Sequence, residues 1–149
     1  MKAYLLAVLA LCLFLGCAAR ISKAKNLGVS GGQLAPCPGS PNCVSSQADE
    51  EPRKVSPASL RGTPAEAMAI IVSLVEELPR TTLVTTTDYY LHAECRSALF
   101  RFVDDLEVFI DESESVIHFR SASRTGYSDF GVNRNRVEAL KKALDEAVE

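Results

Sequence analysis

Residues 100–111 read FRFVDDLEVFID. Phe100, Phe102, Leu106, Val108 and Ile110 share one parity, and alternate residues of a strand face the same side of a sheet. The stretch therefore reads as a β-strand with one apolar face, on which Asp104 is a violation that needs a partner. Its surroundings keep the period of two. TTLVTTT, residues 81–87, is a β-branched run. YYLHAECRS, residues 89–97, alternates Tyr89, Leu91, Ala93 and Cys95 on one side with Tyr90, His92, Glu94 and Arg96 on the other. DESES, residues 111–115, makes a polar turn, after which Ile117 and Phe119 stand opposite Val116, His118 and Arg120. About four antiparallel strands are expected, with one face packed and the other wet or functional.

Helical periods flank this block. In TPAEAMAIIVSLVEELP, residues 63–79, Thr63 can cap, Pro64 suits the first helical position and Glu66 completes a capping box. Ala67, Ile70, Ile71, Leu74, Val75 and Leu78 recur at steps of three and four, and Pro79 ends the run. From about Asn133, Val137, Leu140, Leu144 and Val148 repeat the pattern, with Glu138 and Lys142 spaced as an i,i+4 pair. The expected fold is α+β: a two-layer domain of helix, about four antiparallel strands and helix, with both helices on one sheet face.

The 149 residues suit one modest domain, and 47% hydrophobic content excludes a disordered chain. A formal net charge of −3 leaves no general basic field, so nucleic acid is not an expected partner.

The chain opens MKAYLLAVLALCLFLGCAAR. Lys2 precedes an apolar run from Ala3 to Leu15, too short to span a bilayer core that needs ~20 residues. It reads as a removable signal. FLGC resembles a bacterial lipobox, with Phe14 where Leu is usual, and Cys17 would carry the lipid. Ordinary cleavage after Ala19, leaving a soluble secreted chain, is the alternative. Ala18 after the Cys suggests outer-membrane sorting, facing the periplasm. Residues 1–16 are thus expected to be a lipoprotein-type signal peptide and 17–35 a lipidated N-terminus with a flexible tether. Residues 36–149 form a single domain with an irregular, disulfide-closed lead-in. In an oxidising envelope, Cys37 and Cys43 of CPGSPNC are most simply a disulfide, worth roughly 2 kcal/mol on the chain-entropy model.

CPGSPNCVSS, FRFVDDLEVFID and FRSASRTGYSDFGVNRNRVEAL, in this order and spacing, resemble family number 1499 of the domains of unknown function, over about Pro36 to Leu140. Members of that family are often exported or membrane-associated by prediction. The resemblance supplies no catalytic residues, and Cys95 lies outside the pattern.

Catalytic signatures are sparse. His92 and Cys95, three apart on a strand, point to opposite faces, and Cys95 reads as a buried, inert thiol. No Gly-x-Ser-x-Gly, Ser-x-x-Lys or His-Glu-x-x-His occurs. His92 and His118, the only histidines, fall on non-neighbouring strands too far apart for one metal. Neither a metal nor a cofactor is expected. Asp104 and Asp105 are the acid candidates, though adjacent strand residues face opposite ways.

The most unusual stretch is RSASRTGYSDFGVNRNR, residues 120–136, which leaves the last strand, turns and begins the last helix. Ser128, Asp129 or Asn133 could cap that helix, while Arg134 and Arg136 in its first turn oppose the helix dipole unless an anion compensates them. The compensating anion is either internal, namely Asp104, Asp105 or Glu94, or an external ligand. Arg120, Ser121, Ser123, Arg124, Tyr127, Asp129, Asn133, Arg134 and Arg136, with Asp104 and Asp105, are the candidate ligand-binding residues. The leading expectation is a lipid-anchored envelope protein without catalysis, binding an anionic small molecule, glycan or envelope protein, or purely structural. The alternative is an envelope enzyme with Asp104 or Asp105 as acid or base and Arg124, Tyr127 and Arg136 stabilising an oxyanion or phosphate.

Overall fold

The computed structural model describes residues 26–148. The signal segment, Cys17 and the first part of the tether lie outside the described residues.

Four long strands form the centre: β5 (Thr81–Thr86), β6 (Tyr90–Arg96), β7 (Val103–Asp111) and β8 (Val116–Ser123). They pair antiparallel in sequence order. Helix α1 (Pro64–Glu77) precedes them and helix α2 (Val132–Ala147) follows. The chain is α+β, and within residues 64–147 the order helix, four strands, helix stands.

Among the described residues the sheet has six strands rather than four. Two short strands of the lead-in, β3 (Cys43–Ser45) and β4 (Ala58–Ser59), pair end to end along the free edge of β8. The tether also holds regular structure, a hairpin of β1 (Val29–Ser30) and β2 (Gln33–Leu34). Its two-residue turn is Gly31-Gly32, both at positive φ, the backbone that a tight hairpin requires. Gln47 clamps it: its Oε1 accepts from Leu34 N at 2.8 Å and its Nε2 donates to Gly32 O at 2.9 Å. Strands of two or three residues carry too few side chains to display a period, so they are invisible to alternation.

One sheet face is the core. Leu91, Ala93, Cys95, Leu106, Val108, Ile110, Ile117 and Phe119 pack with Ala67, Met68, Ile71 and Val75 of α1 and Val137, Leu140 and Leu144 of α2 in a single buried cluster. The Thr63–Glu66 capping box is present in both directions, and the helix closes at Leu78, before Pro79. In α2, Glu138 pairs with Lys141 at 3.2 Å rather than with Lys142, which lies 3.7 Å from Glu146.

Phe100 and Phe102 are not core residues. The β6–β7 register ends at Arg96↔Val103, so residues 97–102 have no partner strand and form a turn closed by Ser97 N donating to Phe102 O at 2.9 Å. Both rings are exposed and stacked, with centroids 5.6 Å apart. Tyr89, expected to pack with Leu91, likewise lies outside β6 and is exposed.

Candidate functional site

The other sheet face is polar yet buried. His92 and Glu94 of β6, Asp105 and Glu107 of β7 and Arg120 of β8 share it, and all but Glu94 are buried. The second face, expected to be wet or functional, is not wet, because residues 26–42 cross it. Gly28 N donates to Glu107 Oε1 at 2.8 Å, and the disulfide Cys37–Cys43 draws the covering loop onto the edge of β8.

A buried charge must be paired and hydrogen-bonded. Glu107, fully buried, accepts from Arg120 Nη1 at 2.6 Å, from the Tyr90 hydroxyl at 2.8 Å and from Gly28 N. The burial of Tyr90 and the neighbouring Glu107 carboxylate push its phenol well above the ordinary range. Asp105 accepts from Arg124 in bidentate fashion, at 2.9 Å from Nε and 2.7 Å from Nη2. His92 Nε2 lies 2.8 Å from Asp105 Oδ1; an ionised carboxylate only accepts, so this nitrogen carries the hydrogen. Burial alone would raise the Asp105 pKa, but the bonds from His92 and Arg124 outweigh it and hold the carboxyl below its usual value. Arg124 Nη2 also donates to Glu94 Oε1 at 2.6 Å, and Arg96 to Glu94 Oε2 at 2.7 Å.

The basic stretch 120–136 does not gather into one site. Arg120 and Arg124 stand on the polar face, whereas Arg136 reaches under the sheet on the helix side. There Arg136 Nη2 donates to Asp104 Oδ2 at 2.8 Å and Ser123 Oγ to Asp104 Oδ1 at 2.6 Å, which explains the acid on the apolar face. Asn133, fully buried, is the hub: its Oδ1 accepts from Ser121 and Arg136, and its Nδ2 donates to Asn42 O, Ser123 Oγ and Asp129 Oδ2. Asp129 caps α2, taking Gly131 N at 3.1 Å and Asn133 N at 2.8 Å, and so supplies the helix end with an internal anion. Arg134 donates to Pro52 O at 3.3 Å and Tyr127 is exposed; neither joins a cluster.

Asp104 and Asp105 are therefore on opposite faces with separate arginines. Cys95 is buried on the core side, away from His92, and burial raises its thiol pKa. His118 does not share a group with His92. Its Nδ1 is 3.0 Å from Ser46 Oγ, and its ring, with Asp111 and Glu114, forms the one grouping among the described residues with ligand atoms within 4.8 Å of one another. Asp111 Oδ1 already caps that turn, accepting from Ser113 N and Oγ and from Glu114 N.

An open cavity of about 410 Å³ lies between the covering loop and β8. Ser40, Asn42, Asp105, Arg120, Ser123 and Arg124 supply polar groups to its lining. The Arg120 side chain is 6% exposed, and its Nε is the one buried side-chain nitrogen or oxygen among the described residues with no hydrogen-bond partner. A second hollow, of about 350 Å³ between β2 and residues 45–53, holds the Glu50–Arg53 surface pair and no orphaned buried group among the described residues. Glu107 is the key residue that sequence reading did not single out; parity alone places it beside His92 and Arg120.

Fold and site together define an α+β domain whose antiparallel sheet carries a helical core on one side and a strapped ladder of arginines and carboxylates on the other. The family model described as "Protein of unknown function (DUF1499)" matches residues 33–144, and the chain belongs to that family. None of the curated proteins matches the chain. No helix among the described residues is long and apolar enough to cross a membrane.

Proposed function

We propose that the protein is a lipid-anchored module of the bacterial envelope, on the periplasmic face of the outer membrane, that binds a small anionic ligand and does not catalyse a reaction. The observation that carries the binding half is the orphaned Nε of Arg120, a residue that lines the cavity. A buried donor left unbonded costs roughly 1–3 kcal/mol, more when charged, and a carboxylate or phosphate oxygen would recover it. Arg120 is the side chain that would hold such a group, with Asn42 Nδ2, which donates one hydrogen to Gly126 O at 2.8 Å and keeps a second, while the Ser40 hydroxyl is spent on Asn42 Oδ1. Arg136, Asn133, Ser121 and Asp129 organise the domain from the opposite face.

The catalytic alternative draws no support from the geometry. Asp104 is spent on Arg136 and Ser123, and Asp105, its pKa lowered, has both oxygens engaged. The anchoring half rests on the apolar run Ala3–Leu15 followed by Gly16-Cys17, and on the Cys37–Cys43 disulfide, which suits an oxidising compartment. The mass of the mature N-terminus tests it: a diacylglyceryl adduct on Cys17 supports anchoring, and a free residue 20 removes it.

Titration of the isotopically labelled protein with inorganic phosphate, acetate and citrate tests the binding half. Amide shifts at Asn42, Ala122 and Arg124 should saturate with at least one of these. Arg120→Lys keeps the charge on Glu107 but loses the Nε donor, and should abolish saturation while the protein stays folded. Saturation undiminished in Arg120→Lys, or no shift at millimolar ligand, would sink the site.

A further inference from the structure

One end of the sheet is built of two turns, residues 97–102 between β6 and β7 and residues 124–131 between β8 and α2. Arg124 N donates to Val103 O at 3.0 Å, so the turns leave the sheet side by side. They carry most of the large apolar side chains that the domain exposes: Leu99 at 79%, Phe100 at 68%, Phe102 at 54%, Tyr127 at 76% and Phe130 at 95%. Folded chains rarely leave large aromatic side chains clustered in water without a partner for them.

Charge says what the partner is. Within the two turns Arg124 is neutralised by Asp105 and Glu94 and Asp129 is consumed by the α2 cap, which leaves exposed Arg101 as their outward charge. Exposed Arg80 joins at the same end, its Nε donating to Arg96 O at 3.1 Å, while the Arg96 guanidinium is paired with Glu94 at 2.7 Å. Glu76 and Glu77 close α1 on the helix side of this end. The turns at the opposite end, residues 87–89 and 111–115, contain Asp88, Asp111, Glu112 and Glu114 and no base. The large apolar side chains thus gather at one end with Arg101 and Arg80, while the other end holds the acidic turns with Arg61 beside them, where Leu60 N donates to Ser115 O at 2.9 Å.

The covalent chain points the same way. Asn26 lines the cavity with Arg124 and Gly126, so the N-terminal segment joins the domain at the aromatic end. Nine residue steps separate Cys17 from Asn26. At ~3.3–3.6 Å per residue they reach at most about 30 Å, so a lipid on Cys17 keeps this end near the bilayer.

We infer that the turns 97–102 and 124–131 form a membrane-docking surface that lays Leu99, Phe100, Phe102 and Phe130 into the interface of an anionic phospholipid bilayer, with Arg101 against the headgroups. Apolar side chains partition into the headgroup–acyl boundary and basic ones are drawn to anionic lipid. The inference rests on the anchoring reading for the tether's reach, but the chemistry of the end does not depend on it.

The chain contains no tryptophan, so Phe100→Trp is a probe without background. The full chain, expressed in a bacterium and purified in its mature form, is mixed with phosphatidylethanolamine–phosphatidylglycerol vesicles containing tail-brominated lipid. Emission of Phe100→Trp and Phe130→Trp should shift to the blue and be quenched, while that of Tyr89→Trp, at the acidic end, should remain that of a water-exposed indole. Adding Arg101→Ala should weaken quenching about fivefold, from ~1 kcal/mol per arginine at an anionic surface. Equal quenching at positions 100 and 89, or none at either, overturns the inference, as does a dimer that Phe100→Asp converts to a monomer. Selective quenching of a chain shown by mass to be unlipidated would keep the surface and remove the anchor; a lipidated chain without it would do the reverse.

Discussion

Glu107 ties together three parts of the polar face, since Arg120, Tyr90 and the Gly28 amide all converge on its carboxylate. Glu107→Ala leaves the Arg120 guanidinium buried without a counter-charge, a change that typically costs about 3–5 kcal/mol. Urea unfolding should show that loss, whereas the surface change Glu138→Ala should stay within about 0.5 kcal/mol. Two other residues contribute to the acid limb of stability. His118 is held below its ordinary pKa by burial, an effect that Asp111 and Glu114 only partly offset. Its contribution is therefore complete above the unfolded value of ~6.5 and is lost as pH falls through the lower folded value. Asp105, also depressed, adds stability that is complete above the unfolded value of ~3.9 and decays at still lower pH. Thermal melts should show His118→Gln flattening the decline between neutral pH and pH 5, and Asp105→Asn flattening only the decline below about pH 4. Asp104 was legible in the sequence as an acid that needed a partner, an arginine or backbone amides, because parity put it among apolar residues. Glu107 was not, because parity names a face without saying whether chain crosses over it.

At the scale of elements, the two helices among the described residues begin by different devices. In α1, Thr63 Oγ1 accepts from Glu66 N at 3.3 Å while Glu66 Oε2 accepts from Thr63 N at 2.9 Å, a local box readable in four letters. Helix α2 starts from Gly131 at φ 81, which has no side chain to cap with, and borrows Asp129 from two residues upstream. Thr63→Ala should cost about 1 kcal/mol, the ordinary value of an N-cap. Asp129→Ala should cost clearly more, because it also takes a partner from Asn133 and leaves Arg134 and Arg136 at a positive helix end. Equal losses in chemical denaturation would contradict this ordering. The long strands and both helices were legible because each runs long enough to show a period. The turn 97–102 was misread as strand because Phe100 and Phe102 continue the parity of β7, and only the register with β6 reveals where pairing stops.

At the scale of the molecule, the lead-in determines what the polar face can do, and it was the least legible part. Its strands are two or three residues long, and CPGSPNC shows a cross-link without showing what the loop lies against. The structure seats that loop over β8, where Cys43 pairs with Ala122 and Asn42 O accepts from both Ser123 N and Asn133 Nδ2. The disulfide thus holds one wall of the cavity whose other wall carries Arg120 and Arg124. Reducing Cys37–Cys43 should lower stability by roughly 2 kcal/mol on the chain-entropy model for so short a loop. Cys95 is buried and unpaired, so it should not exchange into the bridge while the domain stays folded. If the wall contributes to ligand capture, reduction should weaken anion binding by more than Thr63→Ala, which lies on α1 away from the cavity. Measuring both at matched temperature below each midpoint separates the two effects. Binding that follows global stability alone would make the disulfide a staple of the fold, whereas a selective loss in the reduced protein assigns it to the site.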